Sequence, residues 1–302
     1  MRFPFILFCL SFCFTLTASA ELPPFDTNIA QKNISKQTPY RGWDHLVARL
    51  VTSGVAHHDV RKIYQNPQMP AYSSVSFSIV PKESKSLYSN FTRSSNIKLA
   101  NSFLNSHQKI FDEVEKKYPV NRYVITSIML VETQTGRFTG DSKVIYRLSR
   151  LAGIADPSNL VLNYHRLKAR DKKVSYIEVK DRGDKLEEMF LPEISALIEI
   201  ANRNKYNVFE IKGSSAGAFG LPQFLPSSYL KFGLDGNSDG VISLFDPNDA
   251  IWSVANFLSH FNWNNSLSYG DKSKVIYNYN RSKAYVDTVL EIERLLSTQS
   301  RS

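Results

Sequence analysis

Most of the chain shows the periodicity of amphipathic helices. The first apolar stripe has residues spaced three and four positions apart, namely Trp43, Leu46, Val47, Leu50 and Val51. Similar stripes predict helices over 96–118, from Pro119 to about Gly136, and over 190–202, 247–260 and 282–296. The pattern therefore predicts a mainly α-helical protein.

Three segments depart from this helical pattern. Residues 75–80 alternate between apolar and polar positions, which predicts a short strand. Residues 21–40 are rich in Pro, Asn, Thr, Gln and Ser, and we expect an extended lead-in there. Residues 155–185 are charged, and we expect irregular structure there.

The first twenty residues have the composition of a secretory signal peptide. Arg2 precedes an apolar run over residues 3–16, and Ala18-Ser19-Ala20 forms a small-residue cleavage site. The alternative is a membrane anchor, but a spanning helix needs about 20 apolar residues. We therefore expect cleavage after residue 20 and export to the periplasm as a soluble protein. Both cysteines of the sequence lie in this signal, and neither is placed like a lipid anchor.

Composition narrows the class of protein and its partners. Of the 302 residues, 42% are hydrophobic and 22% are charged, which excludes an intrinsically disordered chain. The formal net charge is +9, and loss of Arg2 with the signal leaves +8. For an exported protein, this charge favours an anionic cell-wall polymer over nucleic acid as the partner. By charge alone, a basic surface that is simply solvated and binds no such polymer explains the excess of Lys and Arg equally well. We expect a monomer with no transmembrane segment.

One carboxylate interrupts the apolar stripe of the helix after Pro119. Glu132 lies at i+4 from Ile128 and at i+7 from Ile125, so helical spacing places it among aliphatic side chains. Loss of hydration raises the pKa of a carboxyl group and favours the protonated form that a general acid requires. Periodicity leaves a structural ion pair with Lys or Arg as an equal alternative.

A loop of small residues and an isolated amide follow later in the chain. Residues 213–220, the small-residue loop, read Gly-Ser-Ser-Ala-Gly-Ala-Phe-Gly and allow a backbone to approach a ligand closely. The Gly-Lys-Ser/Thr ending of a phosphate loop is missing. Gln223 stands between apolar residues and is suited to face a sugar acetamido group. The alternative is that the small residues let another backbone segment of the protein pack closely against the loop, and the small residues by themselves favour this interpretation.

Residues 235–246, the calcium-type loop, match the twelve-position calcium-binding pattern. Oxygen-bearing side chains occupy positions 1, 3, 5, 9 and 12, glycine occupies position 6, and position 7 offers a backbone carbonyl. The candidate ligands are Asp235, Asn237, Asp239, Val241, Ser243 and Asp246. The last of these is Asp rather than Glu, and the shorter carboxylate predicts weaker binding. A plain Asp- and Gly-rich turn without a metal is the alternative.

In combination, these segments resemble the MltB-type lytic murein transglycosylases, which have a lysozyme-like fold. Val131-Glu132-Thr133 and Gly136 are similar to the Val-Glu-Ser-x-x-Gly motif around that family's catalytic acid. Residues 213–218 and 223–228 resemble its Gly-Ser-x-Ala-Gly-Ala and Gln-Phe-Met-Pro-Ser-Ser stretches. The calcium-type loop continues into Pro-Asn-Asp-Ala as in the family, and residues 279–285 resemble Tyr-Asn-x-Ser-x-x-Tyr. The resemblance covers about residues 86–292.

This resemblance implies a role for each matched residue. Glu132 is the expected catalytic acid and base, while Ser214 and Gln223 orient it and the acetamido group of the substrate. The expected cleft-lining residues are Tyr279, Asn280, Tyr285 and, upstream, Tyr88. The implied fold is a lysozyme-like α+β catalytic domain over 86–296, with an EF-hand-like calcium loop, preceded by a linker and helical region over 21–85. Against the family pattern, residues 155–185 are expected to be an insertion.

The resemblance also implies the reaction, which is cleavage of the MurNAc–GlcNAc β-1,4 bond of peptidoglycan without hydrolysis. Protonated Glu132 protonates the leaving oxygen, the acetamido group assists, and ionised Glu132 then draws the MurNAc 6-hydroxyl onto C1 to form a 1,6-anhydro ring. One carboxylate suffices, whereas ordinary glycosidases use two. A hydrolytic muramidase and an inactive, calcium-stabilised peptidoglycan-binding protein remain alternatives.

Overall fold

A computed structural model describes residues 39–80 and 88–299. The predicted signal peptide and almost all of the predicted lead-in lie outside these residues. Within them, the backbone forms twelve helices and two strands of two residues each, so the prediction of a mainly helical protein is confirmed. None of the described helices has both the length and the apolarity that a bilayer span requires.

The elements have the following bounds. The helices are α1 (Asp44–Thr52), α2 (His57–Tyr64), α3 (Ser94–Ser106), α4 (Gln108–Lys117), α5 (Arg122–Thr133), α6 (Val144–Ala152), α7 (Pro157–Lys168), α8 (Tyr176–Asn204), α9 (Pro226–Phe232), α10 (Pro247–His260), α11 (Tyr269–Tyr279) and α12 (Lys283–Gln299). The strands are β1 (Ser142–Lys143) and β2 (Lys212–Gly213).

The described chain divides into two compact units. The first, which we call the Glu132 unit, contains described residues 88–141 and 212–299. The second, which we call the Trp43 unit, contains described residues 39–80 and 142–211. The residues proposed for catalysis and for calcium binding all lie in the Glu132 unit, whereas the 155–185 segment lies in the Trp43 unit.

Helix α5 forms the centre of the Glu132 unit. Asn121 caps its start by accepting a hydrogen bond from the N–H of Val124 at 2.9 Å. Every residue from Val124 to Val131 is buried, including the polar Thr126 and Ser127. Helices α3, α10 and α12 pack around it. The predicted apolar stripe therefore understates the burial, because α5 is a central helix and not a surface one.

Two boundaries near α5 differ from the predicted helices. The stretch over 96–118 is interrupted at His107, whose φ of −122° leaves the helical range and separates α3 from α4. The following helix begins at Arg122 rather than at Pro119. The predicted end is close to the observed one, because Gln134 adopts a left-handed backbone with φ of 50° directly after α5.

Helix α8, with 29 residues, is the main packing element of the Trp43 unit and contacts α1, α6 and α7. Ser175 and Glu178 form a capping box at its start. The prediction that 155–185 is irregular is wrong, because α7 and the first part of α8 occupy most of it. Asp156 caps α7, and Pro157 is the first helical residue. Capping residues define these helices despite the dense charge.

The predicted strand over 75–80 is wrong, because residues 75–78 belong to no helix or strand of the described chain and a bend follows at residues 79–80. Asn159 Oδ1 accepts from the N–H of Val75 at 2.8 Å. Asn163 donates to the carbonyl of Val75 at 2.8 Å and accepts from the N–H of Phe77 at 3.1 Å. Side-chain amides of α7 therefore satisfy backbone groups that a neighbouring strand usually satisfies.

Candidate active site

Glu132 lies in the last turn of α5, where it is half-buried. The hydroxyl of Tyr285, on α12, donates a hydrogen bond to Glu132 Oε1 at 2.7 Å. Burial raises the pKa of Glu132 to about 7, while the hydrogen bond from Tyr285 opposes this rise. No carboxylate of the described residues is among the groups that shift this pKa. Protonated and ionised Glu132 therefore coexist near neutral pH, as a group that both gives and takes a proton requires.

Three buried tyrosines form a cluster at this carboxylate. The ring of Tyr285 lies parallel to that of Tyr279, with centroids 6.3 Å apart, and edge-on to that of Tyr88 at 6.0 Å. The hydroxyl of Tyr279 donates to the carbonyl of Pro222 at 2.5 Å. Burial and the nearby Glu132 raise the pKa of both Tyr279 and Tyr285, so their hydroxyls remain proton donors. The cluster fixes the donor that faces Glu132.

The turn that follows α5 is fastened to the small-residue loop and to the residue after it. Thr133 Oγ1 donates to the carbonyl of Leu221 and accepts from the N–H of Gly136, both at 2.9 Å. Gly140 has a φ of +90°, and a Cβ there would lie 2.2 Å from the carbonyl oxygen of Gly213. Only glycine fits this close approach. The two segments therefore form one rigid edge of the site.

Gln223 presents an acceptor that the described chain leaves unbonded. Its Nε2 donates to the carbonyls of Thr139 at 3.1 Å and Gly220 at 2.9 Å, which fixes the orientation of the amide. Its Oε1 is buried and accepts no hydrogen bond from the described residues. An unsatisfied buried acceptor is costly, so a ligand N–H is a favourable partner for Oε1.

Ser214 and Asn280 are held mainly by their own neighbourhoods. Ser214 is buried, and its Oγ accepts from the N–H of Ala218 at 3.2 Å within the small-residue loop. Asn280 is half-buried directly after α11, and its carbonyl accepts from the N–H of Ser282 at 2.8 Å. The structure therefore connects Glu132 with Tyr285, Tyr279 and Tyr88, whereas the hydrogen bonds of Ser214 stay within its loop.

The side-chain oxygens of the calcium-type loop bond to backbone amides. Asp235, Asn237 and Asp239 accept from the N–H groups of residues 239–241 at 2.8 to 3.2 Å. Asp246 caps α10 by accepting from the N–H two residues further on at 2.7 Å. The donor set is all oxygen, which suits Ca²⁺. Nowhere in the described part of the chain do three or more His, Cys, Asp or Glu side chains form a metal-binding group.

Asp249 is a buried carboxylate to which the sequence analysis gave no separate role. Its two oxygens accept from the N–H groups of Gly236 at 2.8 Å and Ser243 at 2.6 Å. Desolvation raises the pKa of Asp249, and these two bonds oppose the rise. Asp249 thus ties both ends of the calcium-type loop to α10. An acidic residue in a first helical turn is common, so the pattern did not distinguish it.

The direct contact between Tyr285 and Glu132 also goes beyond the sequence analysis, which placed Tyr285 only among the cleft-lining residues. The two residues are 153 positions apart. The spacing of the Tyr-Asn-x-Ser-x-x-Tyr motif was the signal that pointed to Tyr285, but a local motif does not specify a partner on another helix.

Comparison with known proteins places this chain in a family. The Transglycosylase SLT domain matches residues 40–273. Membrane-bound lytic murein transglycosylase B of Escherichia coli (strain K12) is 30% identical over 161 residues, which are 53% of this chain and 37% of that protein. The chain therefore matches little more than a third of the length of this relative.

Two solved structures share the fold. Lytic transglycosylase Slt35 of Escherichia coli, in complex with calcium, superposes with a TM-score of 0.62 and 20% identity over 86% of this chain and 94% of that chain. SltB3 of Pseudomonas aeruginosa, in complex with NAG-anhNAM-pentapeptide, has a TM-score of 0.61 and 15% identity over 86% of this chain and 80% of that chain. The family match, the sequence relative and these folds agree: the chain belongs to the Transglycosylase SLT domain family.

Proposed function

We propose that the protein is a peptidoglycan lytic transglycosylase that cleaves the β-1,4 bond between MurNAc and GlcNAc and leaves 1,6-anhydroMurNAc ends. One observation carries the proposal. Glu132, which the motif resemblance identifies as the expected catalytic acid, has a pKa raised to about 7 and a fixed hydrogen-bond donor, Tyr285, on its carboxylate. The family match and two relatives that are named lytic transglycosylases, one by sequence and one by structure, support the same reaction class.

In the first step, Glu132 acts as the general acid. Its proton moves to the glycosidic oxygen while the bond from that oxygen to C1 of MurNAc breaks. The carbonyl oxygen of the substrate's own acetamido group assists at C1, so the protein supplies no second carboxylate. Burial of Glu132 supplies the protonated form at neutral pH.

In the second step, the ionised Glu132 acts as the general base. It takes the proton of the MurNAc 6-hydroxyl while O6 bonds to C1 and the acetamido oxygen leaves. Tyr285 donates to the carboxylate in its charged state and holds it in place between the two steps. Glu132 ends protonated, and no water is consumed.

The neighbouring residues are suited to bind the sugar. Gln223 Oε1 is an acceptor of fixed orientation, and the N–H of an acetamido group is the donor that it would take. Tyr88 and Tyr279 support the ring of Tyr285 from two sides. We assign Ser214 and Asn280 to the cleft on their motif positions, and their hydrogen bonds shape the local segments that carry them.

We also propose a structural Ca²⁺ in the calcium-type loop, held by Asp235, Asn237, Asp239, the carbonyl of Val241, Ser243 and Asp246. The all-oxygen donor set and its spacing support the proposal, and the Slt35 structure is in complex with calcium. A bound cation would offset the repulsion among the loop carboxylates. Because several of these oxygens bond to backbone amides, binding exchanges existing hydrogen bonds for metal contacts, and modest affinity follows.

The site of action that fits this chemistry is the periplasm, with glycan strands as the partner and the chain acting as an exported monomer. The signal-like sequence of residues 1–20 supports export. We further propose 86–296 as the catalytic region, with the helical region over 21–85 ahead of it and the 155–185 segment as an insertion.

Replacement of Glu132 by Gln tests whether the protein is an enzyme. The amide keeps the shape of the side chain but cannot cycle a proton, so the release of muropeptides from purified sacculi should fall by about a thousandfold or more. Sacculus binding by the variant should persist. Equal release by the two proteins would reject Glu132 as the catalytic acid, and sacculus binding without release by either protein would point to an inactive wall-binding protein.

A further inference from the structure

Phe138 is an exposed aromatic residue on the turn that follows α5. Its side chain is 54% exposed, although it stands only six positions after Glu132. Aromatic side chains carry a large apolar area whose burial is favourable. A ring that contributes only part of this area to the protein's own packing retains the rest for a ligand.

The backbone that carries Phe138 is fixed on both sides. Its N–H donates to the carbonyl of Thr133, in the last turn of α5, at 3.0 Å. The carbonyl of the next residue, Thr139, accepts from Gln223 Nε2 at 3.1 Å. One residue later, Gly140 lies against the backbone of Gly213. The aromatic ring is therefore displayed from a rigid turn, and little backbone entropy is lost when a ligand covers it.

The same hydrogen bonds place Phe138 beside the proposed sugar site. Gln223, whose free acceptor we assign to an acetamido N–H, is bonded to the neighbour of Phe138 in the chain. Thr133, which bonds to the backbone of Phe138, directly follows Glu132. The turn that carries Phe138 is thus bonded both to the residue after Glu132 and to Gln223, so a ligand that spans these two residues lies close to this turn.

We propose that Phe138 is a glycan-binding residue that stacks on the apolar face of a pyranose ring next to the bond being cleaved. This inference rests on the proposed function. A phenyl ring has no hydrogen-bonding group, so it recognises a ligand through area and not through polar contacts. The C–H face of a pyranose offers such area, while the hydroxyl and acetamido groups at the rim of the sugar remain available for groups such as Gln223.

The test is a binding experiment in the Glu132→Gln background, where the glycan is not cleaved. The probe is a tetrasaccharide of alternating GlcNAc and MurNAc, and calorimetry gives its Kd. Adding Phe138→Ala should raise the Kd about tenfold, whereas Phe138→Tyr, which keeps the ring, should stay within about twofold. Tyr206→Ala is the matched control, because Tyr206 is 40% exposed and belongs to the Trp43 unit, to which no glycan-binding residue is assigned, and it should leave the Kd unchanged.

Two results would overturn the inference while leaving the proposed function intact. One is an unchanged Kd for Phe138→Ala, and the other is a loss with Phe138→Tyr as large as with Phe138→Ala. Failure of the Glu132→Gln protein to bind the tetrasaccharide at all would instead reject the proposed function, and with it the role of Phe138. Thermal unfolding of each variant checks that the exposed substitutions leave the fold intact.

Discussion

The hydroxyl of Tyr285 lies 2.7 Å from Glu132 Oε1 and donates a hydrogen bond to it. Two opposing effects therefore act on one carboxyl group. Burial favours its neutral form, and the tyrosine favours its charged form; burial prevails and the pKa is about 7. A group poised in this way can serve as acid and then as base in a single turnover near neutral pH.

Replacing Tyr285 by Phe removes the donor that favours ionised Glu132. The pKa of Glu132 should therefore rise further, and because the first step needs protonated Glu132, the alkaline limb of the profile of kcat/KM against pH should move to higher pH. The rate at neutral pH should fall about tenfold or more, because the carboxylate loses its orientation. Initial rates on soluble glycan strands across the pH range measure both effects.

The matched control for this variant is Tyr277→Phe, because Tyr277 is an exposed tyrosine on α11 with 47% exposure. It should keep the wild-type profile. An alkaline limb that stays in place in the Tyr285→Phe enzyme would contradict the assignment of Tyr285 as the residue that positions Glu132.

The raised pKa of Glu132 predicts a dependence of stability on pH. The folded-state pKa of about 7 exceeds the ordinary value of 4.5, so the folded state holds an extra proton between these values. The contribution of Glu132 to stability should therefore fall as pH rises from about 4.5 to 7, and the loss should persist above that window. Because the side chain keeps partial solvent contact, we expect a total of about 2 kcal/mol rather than the full value of the shift.

Urea unfolding of the wild type and of Glu132→Gln at pH 4.5 and pH 8 measures this contribution. Glutamine does not titrate, so the variant should gain about 2 kcal/mol relative to the wild type between the two pH values. An equal free-energy difference between the two proteins at both pH values would show that Glu132 titrates normally.

Calcium should raise the melting temperature of the protein. A ligand that binds only the folded state stabilises it by about 2.7 kcal/mol at one hundred times its Kd. Chelator should reverse the effect, and the Asp235→Asn, Asp239→Asn double variant should lose it, because the neutral amides keep the shape of the loop but not its charge. A melting temperature that is indifferent to both Ca²⁺ and chelator would contradict the metal site.

Asn163 should be important for the stability of the Trp43 unit. Asn163→Ala leaves the carbonyl of Val75 and the N–H of Phe77 without their amide partner, which should lower the free energy of unfolding by about 2–4 kcal/mol. The control is Asn278→Ala, since Asn278 is exposed and donates only to a carbonyl of its own helix. Equal free energies of unfolding for the two variants in urea would show that the hydrogen bonds of Asn163 do not hold residues 75–77 in place.

The sequence was most informative where the physical signal is local. The spacing of Glu132 from Ile128 correctly predicted a carboxyl group on an apolar helix, because helical geometry is set over a few residues. It did not reveal that the whole circumference of α5 is buried. That depends on which helices surround it, and periodicity reports only the average face that a helix buries.

The sequence did not reveal hydrogen bonds between residues that lie far apart in the chain. The alternation over 75–80 indicated an extended backbone, but the groups that satisfy it are the side chains of Asn159 and Asn163, more than eighty positions away. The helices within 155–185 depend on capping at Asp156 and Ser175, which charge density concealed. The sequence likewise did not show that Gln223 Oε1 is left as a free acceptor, because this follows from the bonds that Gln223 Nε2 donates to the carbonyls of Thr139 and Gly220.

In the proposed reaction, Glu132 directs the 6-hydroxyl of MurNAc, and not water, onto C1. Mass spectrometry of sacculi digested in ¹⁸O-labelled water tests it most directly. The products should end in 1,6-anhydroMurNAc, lighter by one water than a reducing end and free of the label. Reducing ends that carry ¹⁸O would show that the enzyme is a hydrolase, and would contradict the proposed reaction.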